Sequence, residues 1–154
     1  MNSITVRRAG RADFAVLLEL FTRSVHGMAS NAYTRIQLQR WAPIDADLPA
    51  WQARLAPLVT FVASVGDTPA GFVSLQPPSH VEMLFTDPEF ARTGVATALY
   101  EHAVKTPWLR KRPLTADASY EARPFFEKRG WISTESETVV RGGVKLRRFK
   151  MQLQ

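Results

Sequence analysis

Apolar and polar residues alternate along "SITVRRA" near the start of the chain, the two-residue period of a strand with one buried face. The period then lengthens. Phe14, Leu17, Leu18, Phe21 and Val25 recur at helical spacing behind Asp13, a residue suited to a cap or first turn. "NAYTRIQLQRWAP" predicts a second helix, with Ile36, Leu38 and Trp41 apolar and Pro43 ending it. "DLPAWQARLAPL" predicts a short third, entered at Asp47 with Pro49 in its first turn. Two β-rich runs follow, "TFVASV" and "AGFVSLQ", separated by the hairpin signal "GDTP". "HVEMLFT" predicts another strand, on which residues 80, 82, 84 and 86 share one face and 81, 83 and 85 the other. A helix from about Gly94 to Lys105 comes next, then the short strand "PLTADA". "SYEARPFFEKRG" reads as a helix capped by Ser119, with Pro124 early in it and Gly130 at its end. "WISTESETVV" and "VKLRRFKMQL", joined through "RGG", predict a closing hairpin.

This order predicts an α/β fold with a mixed, mostly antiparallel sheet of six or seven strands and helices on both faces. No repeat or linker divides residues 1–154, so one domain is expected. The chain has no cysteine, which excludes a disulfide framework, a thiolate metal site and a cysteine nucleophile. His26, His80 and His102 lack metal-site spacing, so no metal is expected. No apolar run approaches the roughly 18 residues of a membrane span, and "MNSITVRRAG" lacks a secretory apolar segment; a cytoplasmic setting is the expectation. The net charge of +6 favours anionic ligands. No nucleic-acid-binding motif accompanies the basic runs "LRKRP" and "KLRRFK", so nucleic acid is not an expected partner.

The centre of the chain carries the chemistry. After Asp87-Pro88, the backbone N–H groups of Arg92, Thr93, Gly94, Val95 and Ala96 can converge at a helix start, where the dipole favours an anion. Gly94 permits close approach, Ala96 keeps the first turn slim, and Thr97 can add a hydroxyl. The single glycine alone fits a tight turn equally well, and neither a P-loop nor a dinucleotide fingerprint is present.

"LFTDPEFARTGVATALYEHA" resembles the acyl-coenzyme A signature of the GNAT superfamily of N-acyltransferases, and "ADASYEARPFFEKRGW" resembles its second signature. The likeness extends over nearly the whole chain and is closest to small bacterial members whose acceptors are unassigned. It implies transfer of an acetyl group from acetyl-CoA to a primary amine of a small molecule, amino-acid derivative or peptide. It also implies a sheet splayed between strands 4 and 5, with Leu84, Phe85, Thr86, Arg92, Thr93, Gly94, Val95, Ala96, Thr97 and Phe126 against the cofactor. A homodimer, common in the family, stays open. Two departures stand out. Ala91 occupies the position where Gln or Arg is usual, and Phe126 the position of the tyrosine that often protonates the thiolate. Both favour an alternative, a catalytically weak acyl-CoA sensor or partner subunit.

An attacking amine must lose a proton, and Glu82 is the candidate base, just before the anion turn. A strand N–H near Leu84 or Phe85 is the candidate oxyanion donor if a bulge opens the sheet. The thiolate's proton has Ser119, Tyr120, Tyr33 or solvent as its source, and Ser119 is taken as the second catalytic candidate. His26, Tyr33 and His80 are the expected acceptor contacts.

Overall fold

The computed structural model describes residues 3–27, 33–43, 46–141 and 143–154. Strand β1 (Ile4–Arg8) leads through a 3-10 turn into α1 (Phe14–His26), followed by α2 (Arg35–Trp41) and α3 (Leu48–Leu55). Strands β2 (Val59–Val65), β3 (Thr68–Gln76) and β4 (His80–Thr86) come next, then α4 (Val95–Lys105), β5 (Leu114–Ala118), α5 (Arg123–Glu127), β6 (Ile132–Arg141) and β7 (Val144–Leu153). The sheet order is β1-β2-β3-β4-β5-β7-β6. β4 and β5 run parallel, and every other neighbouring pair is antiparallel.

Local chemistry accounts for the element ends, with some departures from expectation. The first hairpin turns on Gly66-Asp67 alone, because Val65 already pairs with Thr68. α2 is shorter than predicted: Thr34 is its N-cap, paired with Gln37 in a reciprocal capping box, so the helix begins at Arg35. The predicted helix start at Asn31 and Ala32 lies outside the described residues. Asp13 precedes α1 but does not cap it with its side chain. Its carboxylate instead accepts from Arg7 at 2.8 and 3.0 Å and from the Gly10 N–H at 2.8 Å. The segment after β5 is regular only over Arg123–Glu127, with Pro124 in its first turn. Ser119 Oγ accepts from the Ala122 N–H at 3.2 Å, so it organises the turn that precedes the helix.

Each face of the sheet carries its own apolar layer. Leu99 and Ala103 of α4 pack with Phe126, Trp131 and Met151 on one side. Leu17, Leu20 and Val25 of α1 pack with Trp51, Leu55, Phe72 and Met83 on the other. β3 is buried on both faces, hence its nearly unbroken apolar run. Gly71 on this strand lets α4 sit close. A Cβ there would lie 2.8 Å from the Phe85 carbonyl oxygen and 2.8 Å from Val95 Cγ1.

Two irregularities of β4 shape the site. Ser74 pairs with Met83 while Leu75 pairs with Val81, which leaves Glu82 as the extra residue of a bulge. The strict alternation predicted for this strand therefore fails. Val81 and Leu84 belong to the α4-side layer, whereas Met83 and Phe85 belong to the α1-side layer. The second irregularity is a splay. β4 pairs with β5 only at His80↔Thr115 and Val81↔Ala116, so the rest of its edge has no strand partner there.

Candidate active site

The turn after β4 is built around a buried aspartate. Asp87 Oδ1 accepts from the Glu89 N–H at 3.0 Å, and its Oδ2 accepts from Arg23 Nε and Nη2 at 2.9 and 2.8 Å. This ties the end of α1 to the entrance of the turn. Residues 88–90 form one 3-10 turn, and Thr93 Oγ1 donates to the Phe90 carbonyl. Arg92 and Gly94 then adopt left-handed φ angles of 62° and 93°. Only Ile4 Cδ1, at 3.7 Å, would face a Cβ on Gly94, so conformation rather than space requires glycine. Gly94 caps α4 without a side-chain bond. The first bond of the helix runs from the Ala98 N–H to the Gly94 carbonyl at 2.9 Å. The N–H groups of Val95, Ala96 and Thr97 thus have no acceptor within the helix, a geometry that suits phosphate oxygens.

A cleft of about 780 Å³ leads from this helix start along the open edge of β4 toward β5. Among the expected cofactor contacts, Leu84, Phe85, Thr86, Arg92, Gly94, Val95, Ala96, Thr97 and Phe126 line it. Thr93 does not; its hydroxyl is spent on the turn. Phe126 is 3% exposed, its ring centroid 4.9 Å from that of Trp131, and it presents no polar atom to the cleft. Arg129, absent from the sequence-based set, also lines the cleft. Its Nη2 donates to Thr97 Oγ1 and its Nη1 to the Phe125 carbonyl, both at 2.9 Å, with the guanidinium stacked 3.6 Å from the Phe125 ring centroid. A fixed cation therefore stands beside the helix start.

A second, smaller cavity of about 190 Å³ lies against the first. The two share Trp41, Glu82, Met83, Phe85, Asp117 and Ser119. The bulge gives Glu82 its place at this junction. Its Oε2 is 3.4 Å from His80 Nε2, and Asp117 Oδ2 is 3.7 Å from the same nitrogen. His80 Nδ1 is 2.7 Å from Thr115 Oγ1. Nε2 faces both carboxylates and is the ring nitrogen placed to donate to them, while Nδ1 is engaged by the Thr115 hydroxyl. The hydrogen bond from His80 lowers the Glu82 pKa below the ordinary glutamate value, opposed by burial and aided by the charges of His80, Arg54 and Arg148. Glu82 is thus a fixed anion at neutral pH.

Tyr33 lines the smaller cavity and is 8% exposed. Its hydroxyl oxygen accepts from the Tyr120 N–H at 2.9 Å. Burial raises its pKa, with the Tyr120 N–H and the Ser119 hydroxyl working against the rise, so the phenol keeps its proton. His26 lies elsewhere: its Nε2 donates to the Ala42 carbonyl at 2.6 Å and joins the end of α1 to that of α2, outside both cavities. His80 reaches the junction through Glu82 and Asp117 rather than as a wall of either cavity. Sequence reading missed Asp117, Arg54 and Arg129, and it favoured Trp41 as a core anchor over the cavity wall that it forms. For Asp117 a signal existed, because it alternates with buried Leu114, Ala116 and Ala118 and so faces away from that layer. For Arg54 none did.

Comparison with known proteins agrees with this geometry. The Acetyltransferase (GNAT) domain family matches residues 29–153. YafP of Escherichia coli (strain K12), an uncharacterized N-acetyltransferase, is 36% identical over 152 residues, covering 99% of this chain and 97% of its own. The crystal structure of a GCN5-related N-acetyltransferase from Rhodopseudomonas palustris superposes with a TM-score of 0.93 at 31% identity, over 100% of this chain and 97% of that one. The fold is also that of yncA from Salmonella typhimurium, solved with its cofactor acetyl-CoA, at a TM-score of 0.69 and 20% identity over 99% and 94% of the two chains. With its splayed sheet, glycine-capped helix start and domain match, this chain belongs to the GNAT family of acyl-CoA-dependent N-acetyltransferases.

Proposed function

We propose that residues 1–154 act as one N-acetyltransferase domain that moves an acetyl group from acetyl-CoA to a primary amine of a small molecule, amino-acid derivative or peptide. The observation that carries this reading is the meeting of two cavities at Glu82, Asp117 and Ser119. A long cleft with phosphate-binding character opens on one side, and a small pocket suited to an acceptor on the other. The free N–H groups of Val95, Ala96 and Thr97, with Arg129 alongside, would hold the pyrophosphate of coenzyme A. Unpaired backbone groups of β4 beyond Val81 would flank the pantetheine arm. When bound, acetyl-CoA supplies an activated acyl carbonyl and a thiol leaving group.

Magnitudes assign the proton steps. An alkylammonium has a pKa of roughly 10.4, so selecting its neutral form at pH 7 costs about 4.6 kcal/mol. Handing its proton to a carboxylate below roughly 4.3 would cost more than about 8 kcal/mol. The neutral amine is therefore the species that attacks. Glu82 Oε2 takes the proton only as the new N–C bond makes the nitrogen acidic. Until then the carboxylate orients the amine, while His80 holds the carboxylate in place. On the leaving side, Ser119 sits at the junction, its oxygen accepting from the Ala122 N–H and its hydroxyl paired with that of Tyr33, and it is the group that would turn its proton to sulfur. Tyr33, kept protonated by burial, can replenish it.

Direct attack in a ternary complex suits a chain without cysteine, in which both ligands reach one junction. Initial rates of thiol release, with acetyl-CoA and amine varied together, test it. Intersecting double-reciprocal lines are expected. Parallel lines would indicate an acyl-enzyme and overturn direct transfer.

A further inference from the structure

The smaller cavity has an uneven charge. Arg54 of α3, Arg141 at the end of β6, and Arg147 and Arg148 of β7 all line it. Arg148 is neutralised: its Nε donates to Glu137 and its Nη1 lies 3.8 Å from Asp117. The other three are not. Among the described residues, no carboxylate lies within 4.0 Å of the guanidinium of Arg54, Arg141 or Arg147. Among the described residues, Arg147 donates to the hydroxyls of Tyr120 at 3.4 Å and Ser136 at 3.2 Å and stands 5.5 Å from the Phe149 ring centroid, and Arg141 donates to the carbonyl of Val140 at 3.3 Å. Arg54 stands over the rings of Phe21 and Trp51, 5.8 Å from each centroid.

Position gives this imbalance a direction. The carboxylates Glu82 and Asp117 lie at the junction with the long cleft, whereas Arg54, Arg141 and Arg147 line only the small cavity. Arg54 is still near enough to Glu82 for each to shift the other's ionisation. A molecule lodged here meets negative charge where acyl transfer occurs and positive charge at its other end. Phe21, Val139 and Leu146 add apolar wall to the same cavity. The volume of about 190 Å³ falls below the roughly 300–1,000 Å³ of pockets for drug-sized ligands, so the occupant is small.

We propose that the acceptor is a small amino carboxylic acid with an apolar side chain, its amine facing Glu82 and its carboxylate held by Arg54 with help from Arg141 and Arg147. This deepens the acetyltransferase reading and rests on it. Nitrogen bonds to the acetyl carbon as the C–S bond breaks. One amine proton leaves through Glu82 and one proton reaches the thiolate, giving an N-acetylamino acid and free coenzyme A. A polyamine or cationic peptide would bring its second charge against three arginines. A carboxylate brings charge-assisted bonds instead.

Matched acceptors test this: L-phenylalanine and L-leucine, their amides, and dipeptides beginning with them, each with acetyl-CoA and thiol detection. The free acids should exceed their amides in kcat/KM by about 10- to 100-fold. That preference would run against amine chemistry, since an amide's less basic amine is more often neutral. Arg54→Gln should bring the acid-to-amide ratio close to one, and Arg54→Lys should keep part of it. Amides or dipeptides equal to the acids, or a ratio unchanged by Arg54→Gln, would overturn the proposal. Calorimetry separates the two levels of inference. Failure of wild-type protein to bind coenzyme A would remove the acetyltransferase reading itself. Coenzyme A binding without binding of N-acetylphenylalanine to that complex would remove the acceptor assignment alone.

Discussion

Glu82→Gln should lower kcat/KM by about 10²- to 10⁴-fold, the usual contribution of a positioned acid or base, while leaving coenzyme A affinity within about threefold. Glutamine preserves volume, so the bulge between Ser74-Leu75 and Val81-Met83 should persist. What disappears is the anion beside His80 that the proposed mechanism makes the acceptor of the amine's proton. The pH dependence is a second readout. Because the Glu82 pKa is lowered, the carboxylate stays ionised as pH falls and is neutralised only below its ordinary value of about 4.3. Between pH 6 and 9 the wild-type rate should therefore follow ionisation of the acceptor amine, with no step from Glu82. A variant within threefold of wild type would remove Glu82 from the reaction. A wild-type kcat limb near pH 6–7 that vanishes in the variant would show a carboxyl raised rather than lowered.

Gly94→Pro should weaken coenzyme A binding by about 100-fold or more, whereas Arg92→Ala should change it by no more than about threefold. Proline fixes φ near −65°, and Gly94 stands at 93°. The substitution must rebuild the turn that aims the N–H groups of Val95, Ala96 and Thr97. Each charge-assisted bond lost there is worth about 1.5–3 kcal/mol. Arg92 lines the cleft but is replaceable, because Arg129 supplies a cation fixed by Thr97, the Phe125 carbonyl and the Phe125 ring. Circular dichroism and thermal unfolding would check that the Gly94 variant remains folded. If Arg92→Ala proves the more damaging change, the cradle depends on side chains and its backbone description fails.

The sheet was legible because its signals are local. Alternation marked β1, Gly66-Asp67 marked the first hairpin, and Asp87-Pro88 with Gly94 marked the passage from β4 into α4. The site was only half legible, for a physical reason. A bulge is a relation between two strands, so no pattern within "HVEMLFT" discloses that Glu82 is unpaired while Val81 and Met83 are not. Asp117 meets the Glu82-His80 pair only through the parallel register of β4 on β5, and Arg54 reaches the same space from α3, distant in sequence from both strands. His26 shows the converse. Its residue type suggested chemistry, but its Nε2 is occupied by the Ala42 carbonyl.

Calorimetric titration of the wild-type chain with acetyl-CoA, coenzyme A and ATP tests the central claim most directly. Saturable single-site binding of the first two is expected, with ATP weaker by about 100-fold or more because it lacks the pantetheine arm proposed to lie in the splay between β4 and β5. Comparable weak binding of all three would mean that the helix start attracts phosphate without forming a coenzyme A site, and would contradict the assignment of the cleft.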